Sequence, residues 1–137
     1  MRFVVAGAFL LAGVQAASAQ TFCRHDRIMV CEGCSSTHTW RVVKSTVPRP
    51  IIPGATRAPD FCRISLVGLG AMHKPIQIVQ KPRLGEAAPS GRYSIDYRSK
   101  VAGTDTLTFV LSWIHASTGR EATGTVTMNI QVVDAPL

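Results

Sequence analysis

Two stretches near the C-terminal end set the strongest constraint on this chain, because both alternate with a period of two, and that period belongs to strands. In 106–115, Leu107, Phe109, Leu111 and Trp113 share one parity. The other parity carries Thr108 and Ser112 together with Val110 and Ile114, so both faces of this strand are expected to be partly covered. In 123–133, Val126, Met128, Ile130 and Val132 oppose Thr125, Thr127, Asn129 and Gln131. Ser117-Thr118-Gly119-Arg120-Glu121 lies between them as a reversing turn. The two segments are expected to form a hairpin at the heart of a sandwich.

The same period recurs upstream. Trp40 and Val42 share a face in 39–44, Ile76 and Ile78 in 76–80, and Tyr93, Ile95 and Tyr97 alternate with Ser94, Asp96 and Arg98 in 92–98. In 62–67, Cys62 has the parity of Ile64 and Leu66. A further strand is placed near 27–30, and 81–91 is read as a loop. Six or seven short strands in about 100 residues predict an immunoglobulin-like antiparallel β-sandwich, with a small barrel as the alternative.

The N-terminus differs in kind. Arg2, an apolar run over 3–14 and the small residues Ala17-Ser18-Ala19 have the three zones of a secretory signal peptide. Residues 1–19 are therefore expected to be cleaved, leaving 20–137 as one domain: a cysteine-rich head at 20–38, a proline-rich connection at 47–59, and the strands. The apolar run is shorter than the roughly 20 residues that span a bilayer. Arg, Lys, Asp or Pro interrupts every later apolar stretch. The processed chain is expected in the periplasm or outside the cell, without spanning the membrane.

That address decides how the cysteines read. Cys23, Cys31, Cys34 and Cys62 are an even set, and in an oxidising compartment they are expected to form disulfides. Spacing leaves all three connectivities open; the preferred one has a local bridge in the head and a second to Cys62, whose parity aims it into the core. The competing reading is a periplasmic metal-binding protein using His25, Cys31, Cys34 and His38, since thiolate and imidazole suit zinc or Cu(I). A redox pair at Cys31-Glu32-Gly33-Cys34 is the third reading, and it lacks the helix on which such motifs work.

The chain carries 15 Lys and Arg against 8 Asp and Glu, a formal +7. Loss of Arg2 with the signal peptide lowers it to +6. The cations are dispersed, which favours anionic surroundings through long-range steering and does not supply the clustered face of a specific nucleic-acid binder. No nucleophile elbow, zinc-protease motif or phosphate loop is present, and no enzyme or cofactor is expected. Asp105 reads as a carboxylate that accepts backbone donors.

Pro82-Arg83-Leu84-Gly85, the aromatic strand from Tyr93 to Tyr97, Gly103-Thr104-Asp105-Thr106-Leu107-Thr108-Phe109 and Gly124-Thr125-Val126-Thr127-Met128-Asn129-Ile130 follow one another in a recognisable order. Through these motifs, 76–133 resembles the bacterial immunoglobulin-like or cadherin-like β-sandwich modules of exported proteins. The resemblance implies a structural or adhesive role. The calcium-ligating acidic clusters of true cadherins are missing, so calcium is not carried over. The chain is thus expected to be a non-catalytic binding or structural module of the bacterial cell envelope, its partner an unknown protein or an anionic envelope component. The glycine-rich, basic loops holding His73, Lys74, Arg83 and Arg92 are the expected contact surface.

Overall fold

A computed structural model describes residues 17–18, 21–45, 49–50, 60–66 and 73–135. Most of the expected signal peptide and of the expected proline-rich connection, and loop residues 67–72, lie outside the described residues. Of the first two segments, Ala17–Ser18 and Arg49–Pro50 are described, paired antiparallel.

The chain is all-β, with two sheets stacked as a sandwich. The strands of these sheets are β1 (Thr21–His25), β2 (Ser35–Ser45), β3 (Cys62–Ser65), β4 (Gln77–Gln80), β5 (Gly85–Pro89), β6 (Ser94–Ser99), β7 (Gly103–Ile114) and β8 (Glu121–Ala135). Five of them form one sheet in the order β1-β2-β8-β7-β4, and three form the other in the order β3-β6-β5. The expected hairpin is present: β7 and β8 pair antiparallel from Glu121 opposite Ile114 to Val132 opposite Gly103. Strand β8 is the middle of the larger sheet.

Alternation decides which residues enter the core. Val126, Met128, Ile130 and Val132 of β8, Leu107, Phe109 and Leu111 of β7, and Trp40 and Val42 of β2 are buried from one sheet. Cys62, Ile64, Ile95 and Tyr97 meet them from the other. Each large apolar side chain so buried contributes about 1.5–3 kcal/mol relative to exposure. The Trp40 and Tyr97 rings cross the gap between sheets with centroids 5.6 Å apart. On the outer face Val110 and Ile114 are half-buried, which explains why apolar residues occupy a polar parity.

Three expectations need correction. The sheets hold eight strands, not six or seven: β1 falls within the expected head and β5 within the expected loop. Gly-Glu-Ala-Ala-Pro in β5 has none of the β-branched or aromatic residues that mark strands, and its pairing with β6 decides its conformation. A Cβ at Gly85 would stand 2.7 Å from the Tyr97 ring, so the first residue of β5 has to be small. Residues 27–30 form no strand; the head strand is Thr21–His25, paired with β2. Nor is the sandwich wholly antiparallel, since β2 runs parallel to β8 from Ser35 opposite Thr125 to Ser45 opposite Ala135.

The disulfides are Cys23–Cys62 and Cys31–Cys34. The first joins β1, an edge of the five-stranded sheet, to β3, an edge of the three-stranded one, with Cα atoms 5.7 Å apart. It clamps the sheets along one side of the sandwich. At the other side the chain itself crosses between sheets at 81–84, and Asp105 holds that crossing in place.

Candidate functional site

Asp105 shares the inward parity of Leu107 and Phe109 and is 3% exposed. Its carboxylate accepts the backbone N–H of Arg83 at 2.7 Å and of Leu84 at 2.9 Å, the Tyr97 hydroxyl at 3.1 Å and the N–H of Thr106 at 3.0 Å. A buried carboxylate so bonded is a fixture of the fold. Burial first, and then the neighbouring Asp105 charge and hydrogen bond, push the Tyr97 phenol well above its ordinary range.

The pinned crossing borders a groove of about 700 Å³ on the outer face of the three-stranded sheet. That volume suits a small ligand or a short stretch of polymer. Ala88 is a small residue at its floor, with the backbone of β5 alongside, and Phe61 and Pro82 supply apolar surface. Lys81, Arg98 and Lys100 bring positive charge. Arg98 reaches Asp60 at 3.2 Å and Lys100 reaches Glu86 at 2.8 Å, both pairs largely in solvent. The Lys100 ammonium holds the Glu86 carboxyl below its usual range. On the edge strand β3, Arg63 grips Asp96 through two bonds of 2.7 and 2.9 Å and also donates to the Ser90 hydroxyl. The Arg63 guanidinium lowers the Asp96 carboxyl and is itself raised by it. Exposed pairs of this kind contribute little to stability, so Arg98 and Lys100 can turn to an incoming anion at small cost.

The four basic residues expected from sequence do not form one surface. Lys74 pairs with Glu121 at 2.8 Å and holds that carboxyl below its usual range, with the His73 imidazole 3.8 Å from the same carboxylate. The His73 amide donates to the Ser112 carbonyl, whereas the Arg83 amide donates to Asp105. Those anchor points are seven residues apart on β7, roughly 23 Å along a strand. Arg92 is exposed in the β5–β6 turn. The second expected loop, from Arg83 to Arg92, does contribute Gly85 to Ala88 to the groove. Lys81, Arg98 and Lys100 were not singled out from sequence. The outward parity of Arg98 is legible in the sequence, but its position opposite Glu86 depends on β5, whose residues carry no strand signature.

The metal reading loses its thiolates, because Cys31 and Cys34 are bonded to each other. His25 Nδ1 lies 2.7 Å from the Asp26 carbonyl, and His38 Nε2 lies 3.3 Å from the Met29 main chain. Among the described residues no three His, Cys, Asp or Glu side chains converge. The described residues likewise contain no helix long and apolar enough to cross a membrane.

The Cys31–Cys34 loop sits instead at the turn between β7 and β8. Its Glu32 lies 2.7 Å from the His115 imidazole and 3.4 Å from the Arg120 guanidinium. Compared with protein-family models, curated proteins and solved structures, the chain gives no match.

Proposed function

We propose that this chain is an exported, non-catalytic β-sandwich of the immunoglobulin-like kind that binds an anionic polymer of the bacterial cell envelope in the groove beside β5. The strand orders support the fold: β3-β6-β5 and β4-β7-β8 follow one another as the B-E-D and C-F-G strands of such sandwiches do. Four cysteines all engaged in bridges fit an oxidising compartment.

The observation that carries the ligand class is the groove itself, in which Lys81, Arg98 and Lys100 stand around a small-residue floor. The cations attract carboxylate or phosphate groups, Phe61 offers an apolar wall, and Ala88 leaves room for a polymer to lie along the sheet. The basic charge of the whole chain adds long-range attraction.

A uronic-acid oligomer is the test ligand and a neutral dextran oligomer the control. Wild-type protein is expected to be retained on the acidic matrix and to elute as salt screens the contact. Ala88→Trp fills the groove from the surface and is expected to remove retention. Equal retention of A88W and wild type would place the contact elsewhere, and no retention of wild type would sink the anionic class.

A further inference from the structure

We infer that the Cys31–Cys34 bridge is a thiol-exchange site, open to attack by an external dithiol under conditions that leave Cys23–Cys62 intact. The inference stands apart from the groove and survives its failure. It rests on how differently the two bridges are placed. Cys62 is fully buried among Ile64, Ile95 and Tyr97. A thiolate attacking the Cys23 sulfur has to expel a Cys62 thiolate into that apolar core, where an unpaired charge is costly to bury. Cys31 is exposed and Cys34 is only partly covered. Attack on Cys31 expels a Cys34 thiolate at the protein surface.

The loop is also built to survive the opening of its bridge. The Gly33 N–H donates to the Thr123 carbonyl at 2.8 Å, and the Thr125 N–H donates to the Cys34 carbonyl at 3.1 Å. Glu32 is held by His115 and Arg120. Val30 and the Cys31 carbonyl lie so close over Gly124 that a Cβ there would meet them at 2.5 and 2.8 Å. These contacts keep two sulfurs only three positions apart in sequence near each other after reduction, so the bridge can re-form.

The exchange balances with a dithiol as the reductant. Its first thiolate attacks Cys31 Sγ; a mixed disulfide forms as the Cys31–Cys34 bond breaks, and Cys34 leaves as a thiolate that takes up a proton. The second thiolate of the dithiol then attacks its own sulfur in the mixed disulfide. Cys31 is released and protonated, and the dithiol closes to a disulfide. Two electrons and two protons pass to the protein. The absence of a helix at this motif fits a bridge that receives electrons from an oxidoreductase rather than one that acts as the oxidoreductase.

The folded, oxidised protein is titrated with dithiothreitol, or with a reduced Cys-X-X-Cys oxidoreductase, then alkylated and mapped by peptide mass. Cys31 and Cys34 are expected to be alkylated at reductant concentrations at least about tenfold below those that expose Cys23 and Cys62, with an unchanged circular dichroism spectrum. Simultaneous labelling of both pairs, or labelling of Cys31 only after the spectrum collapses, overturns the inference. Cys34→Ser gives a second reading: its Cys31 thiol is expected to take up glutathione from glutathione disulfide while the protein stays folded, and a folded C34S that takes up none contradicts the site.

Discussion

Each end of the sandwich holds a disulfide beside a carboxylate with several partners, yet the two ends are opposite in character. At the end where β7 begins, Cys23–Cys62 ties the sheets together and Asp105 is sealed under the 81–84 crossing. At the end where β7 turns into β8, Cys31–Cys34 closes only its own loop, and Glu32 keeps 44% of its side chain exposed beside His115 and Arg120. Similar groups therefore do different work according to burial. A buried bond excludes alternatives, because its partners have nothing else to turn to. An exposed one competes with water and with whatever arrives.

The sharpest way to break this contrast is to remove each bridge in turn. The double variant C23A/C62A loses a closure of about 40 residues, worth about 4 kcal/mol in the chain-entropy estimate, while C31A/C34A loses a closure of only a few residues, worth about 2 kcal/mol. Urea unfolding ranks them, and equal losses would erase the distinction.

Asp105→Ala comes next. It strands the buried N–H groups of Arg83 and Leu84 and is expected to cost about 3 kcal/mol, against less than about 1 kcal/mol for Glu32→Ala at the open end. Similar melting temperatures for the two variants would contradict the assignment of roles.

Tyr97→Phe removes one of the Asp105 bonds and should cost about 1 kcal/mol. It also probes the alkaline limb. Folding raises the Tyr97 pKa, so its contribution is complete below the unfolded value of about 10 and is lost as pH rises above it. Wild type should therefore destabilise more steeply than Y97F in alkali; parallel curves would count against a buried, bonded phenol.

The acid limb has the smallest effect. Glu86, Asp96 and Glu121 bind protons less readily folded than unfolded. Their contribution is present above the unfolded carboxylate range near pH ~4 and is lost as pH falls through the lower folded values. Lys74→Ala should flatten the part due to Glu121, and an unchanged acid slope would show that this pair contributes nothing.

The sequence made the two long strands and the core parity legible, since Val126, Met128 and Ile130 can be sorted by period alone. It also exposed the inward aim of Cys62. It hid β5, whose small residues acquire strand geometry only through pairing with β6, and the parallel course of β2 against β8, which depends on contacts far apart in the chain. The groove was hidden for the same reason. Lys81 is far in sequence from Arg98 and Lys100, and shares a groove with them only once β5 lies beside β6. His73 and Lys74 were visible as a basic loop, but nothing local announced that Glu121 would pair with them.

Amide chemical-shift mapping with the uronic-acid oligomer reads directly where an anionic polymer sits on the sandwich. The expected result is a contiguous set of shifts at Lys81, Gly85 to Ala88, Arg98 and Lys100, fading as salt is added. Shifts confined to His73, Lys74 and Arg120 at the open end, or none at all, would contradict it.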